Sequence, residues 1–396
     1  MIALFLSLAL QTGPVIEIPD ETADFVTIQA IVRVPALSEK HRNLLRIVGG
    51  SLGEETESFT KAQIADIAGR VGGRLRVWVS NDHLRVSMYA VPADLRTAIA
   101  MVGSVLKEPV LRRENLQSIS DDLQSRRYSF WRQALDLTPF RLPKYETRDL
   151  DWLRTTVIRP EAVTLAVAGR FTPGQASQKW QEILEDWHVG RLPRPEPDQV
   201  RTTDDVKIGS SLSLIELRGP AFSATDANIS TKVLALIALG TGKDSSLFRI
   251  GRERMGIAYR LEGVLTPDPA GFIPRLIVAR SQSADLGKSA EELKVALMED
   301  VKDWSDAART RAIGMAESVF VKGGDFNPFY FGLERPITRE LGDQAFLTAY
   351  WQMKTGTPWN PFQFVGRLGF VELTDLKQEA ETFLARSAII TRSGRS

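Results

Sequence analysis

A run of alternating prolines constrains this chain more than any other feature. Gly190-Arg191-Leu192-Pro193-Arg194-Pro195-Glu196-Pro197 suits neither a helix interior nor a central strand, because proline fixes φ and lacks the backbone donor. The sequence stays polar and aperiodic through Asp205, so the stretch reads as an extended linker. It divides 396 residues into two parts of single-domain size. The pattern then restarts. Asp149-Leu150 opens a helix leading to a strand that ends at Gly169, and Asp375-Leu376 opens a helix leading to a strand that ends at Gly394. Ala93-Asp94-Leu95 and Ala284-Asp285-Leu286 each start a helix directly after a strand. The same cues in the same order indicate a duplicated domain. The expected division is an export signal and N-terminal tail over 1–23, a first domain over 24–189, a linker over 190–207 and a second domain over 208–396.

Within the first half, Phe25 to Val34 alternates, with Val26, Ile28, Ala30, Val32 and Val34 on one face, which predicts a strand buried on one side. Residues 42–53 form an apolar helix candidate closing at Gly49-Gly50. Thr60 and Gln63 form a capping box for a helix carrying Ile64, Ile67, Ala68 and Val71, and Gly72-Gly73 stops it. Two alternating strands follow, Leu75-Val77-Val79 and Leu84-Val86-Met88-Ala90, around a Ser80-Asn81-Asp82 turn. Next come a helix from Pro92 to Pro109, a longer helix with Leu116, Ile119, Leu123 and Phe130, a strand over Val163 to Ala168, and a helix with Trp180, Ile183, Leu184 and Trp187. In the second half a strand runs over Leu212-Leu214-Glu216, a helix over Ile229 to Leu239, strands around Phe272 to Val278, and a helix from about Ala284. Mixed strands and helices with hairpins predict two α+β domains.

Composition limits the chemistry. Fifty basic and 49 acidic residues leave a formal charge of +1, so nucleic acid is not expected as the main partner. There are no cysteines, which excludes disulfides, thiolate nucleophiles and cysteine metal sites. The apolar run Ile2 to Leu10 is too short to span a bilayer. With Ser7-Leu8-Ala9 it suits a cleaved export signal, although the basic segment is missing, and it would equally serve as a plain N-terminal strand or tail. No other segment could cross a membrane, and no G-x-S-x-G elbow supports a serine triad.

The stretch from Ser245 to Tyr259 is the most informative for function. It predicts a short helix to about Met255, with Leu247, Ile250 and Arg254 on one side, a left-handed cap at Gly256, and an extended Ile257-Ala258-Tyr259. Arg252 and Tyr259 are then held close by a tight turn, and a guanidinium beside a phenol suits peptide carbonyls. The pattern S-x-L-F-x-x-x-R-x-x-x-G-x-A-Y resembles the second-domain signature of the insulinase, pitrilysin and mitochondrial-processing-peptidase family of zinc metallopeptidases. The resemblance extends over roughly 24–395: the capped helix ending Val71-Gly72-Gly73, the strands after it, and Tyr145 to Gly169 with Arg159-Pro160-Glu161 all fall in the family's order. It implies paired, similarly folded α+β domains, the first like the family's catalytic one.

The family's metal site, His-x-x-Glu-His on a helix, is missing. Counting back from Gly72-Gly73 and matching the family's threonine to Thr56 places that window on Arg46-Ile47-Val48-Gly49-Gly50. Arg46 and Gly50 stand where the histidines would be and Gly49 where the base would be; none can bind zinc. The only histidines are His41, His83 and His188, and no two have ligand spacing. Asp121 and Asp122 lie in the helix where the family's distant carboxylate is expected. The aromatic run Phe326 to Phe331, and Trp351, Trp359, Phe362 and Phe364, suit either core packing or the lining of a peptide cavity.

The resemblance therefore implies a catalytically inactive homologue with no metal and no cofactor. Its substrate-binding residues would be Arg252 and Tyr259, and its partner a zinc-bearing paralogous subunit of a hetero-oligomeric peptidase acting on peptides. The alternative is a stand-alone peptide-binding or scaffold protein. An exported, periplasmic or extracellular, location is expected from the N-terminal run.

Overall fold

The structure, a computed structural model, describes residues 13–125, 144–187, 213–258, 260–280, 285–322, 329 and 340–393. Contacts group them into two units. The first holds the residues described up to 187 together with 340–359, and the second holds 213–329 and 360–393.

The first unit is built on a five-stranded sheet of β1 (Val15–Pro19), β2 (Val26–Arg33), β3 (Arg76–Val79), β4 (His83–Ala90) and β5 (Val163–Gly169), in the order β1-β5-β2-β4-β3. All pairs are antiparallel except β1 with β5. Residues 15–19 lie inside the stretch read as an N-terminal tail. There Glu17 accepts hydrogen bonds from the backbone of Gly174 and Ser177, tying β1 to the start of the helix Gln175–Glu185. Val26, Ile28, Ala30 and Val32 face one side, as their alternation predicts, and pack with Leu44, Leu45, Val48, Val86, Ile99 and Val102. The helix Lys61–Gly69 has its capping box: Thr60 N–H donates to Gln63 Oε1 at 2.8 Å and Gln63 N–H to Thr60 Oγ1 at 3.3 Å.

One expectation is overturned. Strand β2 is buried on both faces, not one, because the helix Leu341–Thr355 lies on its polar side. That side carries Thr27, Gln29, Ser87, Arg85 and His83, which a hydrophobicity pattern assigns to solvent. The polar groups are satisfied internally. Gln29 Nε2 donates to Thr27 and Ser87, both at 2.8 Å, and Arg85 Nε donates to Gln29 Oε1 at 2.9 Å while its guanidinium lies 4.1 Å from the Phe346 ring centre. Asp82, read from the sequence as a turn residue, is fully buried. It bonds His83 Nδ1 at 2.7 Å, Tyr350 OH at 2.8 Å and Lys354 Nζ at 2.7 Å. Burial raises the Asp82 pKa, but the charges and hydrogen bonds of His83 and Lys354 together outweigh it and hold the carboxyl below its ordinary range.

The second unit is built on β6 (Ser213–Arg218), β7 (Arg260–Asp268), β8 (Gly271–Arg280) and β9 (Ala388–Arg392), in the order β7-β8-β6-β9. Read from the other edge this is β9-β6-β8-β7, the same succession as β5-β2-β4-β3, and every pair is again antiparallel. Both units are thus α+β layers of one topology. The helices Ile229–Gly240, Leu286–Lys302, Asp306–Phe320 and Leu373–Arg386 supply the apolar layer. On the opposite face Glu216, fully buried, pairs with Arg218 at 2.7 Å and with Arg275 at 3.5 Å. The linker 190–207, Leu212, Phe130, Ala284 and Gly394 lie outside the described residues.

Candidate functional site

The stretch after Gly242 folds as the short helix its pattern predicts, but wound wide. Ser245 starts it by donating through Oγ to Gly242 O at 2.8 Å and accepting from Phe248 N at 3.3 Å. From Phe248 to Arg254 the backbone winds as a π-helix, closed by Met255 N–H to Ile250 O at 2.9 Å. Such turns are rare and cluster at functional sites. Leu247 and Ile250 are buried as expected, but Arg254 is exposed, and Gly251 shares the buried side in its place. A Cβ on Gly251 would come within 2.8 Å of Leu261, so glycine permits that approach to the following strand. Gly256 has φ of 64°, the left-handed cap the sequence calls for. Arg252, Glu253 and Arg254 are all exposed, and the Arg252 guanidinium lies 5.7 Å from the Phe248 ring centre. Tyr259 lies outside the described residues.

Strand β7 begins four residues after Gly256 and forms one edge of its sheet. It carries Glu262, which the sequence reading passed over. Burial pushes this carboxyl up to about 7, with Arg260 opposing the shift. An acid that titrates near neutrality thus sits on the strand leading out of the Arg252 turn. Nothing in the sequence but its alternation with buried neighbours signals it.

The window matched to the zinc motif lies in the helix Glu39–Ser51. Its side-chain space is taken up. A Cβ on Gly49 would stand 2.4 Å from Val79 Cγ2, and one on Gly50 would stand 2.6 Å from Ile119 Cγ2. Both neighbours are β-branched and stiff at χ1, so neither moves aside at little cost. The glycines therefore belong to the packing of this helix against β3 and against the helix Arg113–Ser125.

The other candidates are accounted for in place. His41 bonds Ser38 Oγ at 2.9 Å, lies 4.6 Å from the Trp152 ring at a tilt of 49°, and is 3.8 Å from Asp149. His83 is bound to Asp82, and His188 lies outside the described residues. Asp121 and Asp122 are exposed, and Asp121 accepts from Gln117 at 2.8 Å. Among the described residues no three histidine or acidic side chains could hold a metal ion together. Of the aromatic run at 326–331 only Phe329 is described; it is core, 5.2 Å from Phe272 and 5.7 Å from Phe320. Trp351 is buried and stacks on Trp359 at 5.0 Å, Phe364 is buried, and Phe362 is exposed.

With this geometry in hand, comparison with known proteins places the fold. No protein-family model and no curated protein matches the sequence. Solved structures do match over almost the whole chain. A protease from Helicobacter pylori superposes with a TM-score of 0.76 at 14% identity, covering 97% of this chain and 98% of that one. A peptidase M16 inactive domain from Pseudomonas fluorescens gives 0.71 at 12% identity, covering 97% and 96%. A conserved protein from Enterococcus faecalis V583 gives 0.63 at 11% identity, covering 98% of each chain. The fold is peptidase M16-like. Among the described residues, no helix is long and apolar enough to cross a membrane.

Proposed function

We propose that this chain is a catalytically inactive, insulinase-like protein that binds peptides as the non-catalytic subunit of a zinc peptidase. The zinc would be supplied by a paralogous partner. The observation that carries the reading is the filled window at Gly49 and Gly50, where Val79 and Ile119 occupy the space that the base and one ligand side chain need. Arg252 stands exposed on a wide turn, so a binding role survives where a catalytic one does not. The likeness to a structure described as an inactive peptidase M16 domain supports the same view. In the complex, Arg252 and Tyr259 grip peptide carbonyls near the bond that the partner cleaves. An export signal ahead of β1 would place the complex outside the cytoplasm.

Co-purification from the native host tests the partner. A chain bearing His-x-x-Glu-His is expected in the complex, and peptide turnover should require both chains. Arg252→Lys should slow that turnover without dissociating the complex, since a point charge cannot reproduce the planar guanidinium. Recovery of the chain alone, bound to peptides but never to a peptidase, would favour a stand-alone peptide-binding protein.

A further inference from the structure

Just upstream of the Arg252 turn, within the second unit, lies a pocket of about 40 Å³. Its walls come from the end of the helix Ile229–Gly240, from Thr241 to Arg249, and from Trp304, Arg311 and Met315. Three of the lining residues share one acceptor outside the lining: Asp300 Oδ2 accepts from Ser246 Oγ at 2.5 Å, Arg249 Nη2 at 3.0 Å and Trp304 Nε1 at 3.1 Å. That oxygen is saturated, and the Arg249 guanidinium is fixed by it. Two other polar groups on the walls are not satisfied. Thr241 is only 6% exposed, and among the described residues its hydroxyl has no hydrogen-bond partner; Arg249 Nε is buried and has none there either. Buried polar groups are normally paired, and an orphan needs an explanation.

The character of the orphans defines what fits. An arginine Nε–H can only donate, and a threonine hydroxyl can donate. Arg311, on the same wall, is exposed and has no ion pair among the described residues. Asp244 also lines the pocket, but it is exposed and satisfies neither orphan; both still lack an acceptor, and one bearing negative charge would suit them and the two arginines best. Its size admits a group of a few heavy atoms. We propose that it binds a carboxylate of the bound peptide, either the C-terminus or an acidic side chain. The peptide part rests on the function proposed above: Arg249 and Arg252 are three residues apart on one turn, so one ligand could meet both.

The test uses the full chain and three fluorescent peptides of one neutral sequence: a free acid, an amide, and an amide with one internal glutamate. The free acid or the glutamate peptide should bind about tenfold more tightly than the neutral amide, and whichever does identifies the source of the carboxylate. Thr241→Val, which keeps the shape and removes the hydroxyl, should cut that preference about fivefold and leave the neutral amide unaffected. Arg311→Gln, at an exposed position, should reduce it as well. Arg252→Lys should weaken all three peptides alike and preserve the preference, which separates the two proposals. Equal binding of all three peptides, or a preference unmoved in Thr241→Val, overturns the carboxylate site. If no peptide binds, the peptide reading has failed, and acetate titrated against the chain decides what remains. A thermal shift lost in Thr241→Val upholds a carboxylate pocket, and the absence of any shift overturns it.

Discussion

The two sheets share one strand order, yet they treat the same corner differently. In each unit the first long helix after the first core strand ends against an edge strand, at a glycine. In the first unit Gly49 meets the Val79 side chain on β3, with 2.4 Å left for a Cβ. In the second Gly240 meets the Gly263 backbone on β7, with 2.6 Å. Each edge strand begins four residues after a left-handed glycine, Gly72 at φ 67° and Gly256 at φ 64°. What precedes that glycine differs. In the first unit it is a capped α-helix, and in the second a wide turn that exposes Arg252. The topology is shared, while chemistry is decided by which side chains the corner leaves room for. The first corner has been packed shut, and the second still presents cations.

Substitutions that break this comparison rank by what they disturb. Asp82→Ala should have the largest effect, about 3–5 kcal/mol, because it removes the buried carboxylate that Lys354, His83 and Tyr350 share. Its measurement is urea unfolding across pH. The Asp82 pKa is lowered on folding, so its contribution is present above the ordinary carboxylate pKa and is lost as pH falls through the lower folded value. The variant should lack that part of the acid sensitivity. Gly240→Ala comes next, at about 3 kcal/mol, because its Cβ meets backbone and the helix and strand must separate. Gly49→Ala should cost less, about 1–3 kcal/mol, since a side chain opposes it. A cost for Gly49→Ala equal to that of Gly240→Ala would mean that the two corners are equally rigid, and the contrast would fail.

Glu262→Gln sharpens the second half of the comparison. The wild-type carboxyl rises from 4.5 to about 7 on folding, so it opposes folding progressively as pH climbs through that interval and by a constant amount above it. The variant should match wild type below pH 4.5 and exceed it at pH 8 by on the order of 2 kcal/mol, allowing for partial exposure. A pH-independent difference between the two proteins would show that Glu262 is not the titrating group. The smallest effect serves as a control. Gly314 sits in the helix Asp306–Phe320 with nothing within 4 Å of its missing Cβ, so Gly314→Ala should stabilise by about 0.5–1 kcal/mol.

How far the sequence could be read depended on the range of the interactions. Local signals held: the Thr60–Gln63 capping box, the Gly256 cap, the alternation of Val26 to Val32, and the paired helix starts at Leu95 and Leu286 all appear where the residues imply. Distant pairing was invisible. Asp82 looks like a turn residue until Tyr350, 268 positions away, is found bonded to it. The polar face of β2 looks solvated until a helix from the other half of the chain covers it. Inside the Arg252 turn Gly251 packs on Leu261, and neither residue announces that partnership in sequence. Thr241 and Arg249 carry no motif, so only their unmet hydrogen bonds single them out.

The central claim is that the first corner, packed shut at Gly49 and Gly50, leaves no room for a zinc site. Zinc titration of the purified full-length chain, read by calorimetry and by metal content after dialysis, tests it directly. The account predicts no stoichiometric zinc, and the triple variant Arg46→His, Gly49→Glu, Gly50→His should gain none and should lose stability, because Val79 and Ile119 fill the space. About one tightly held zinc per native chain, lost when a histidine is replaced, would contradict it.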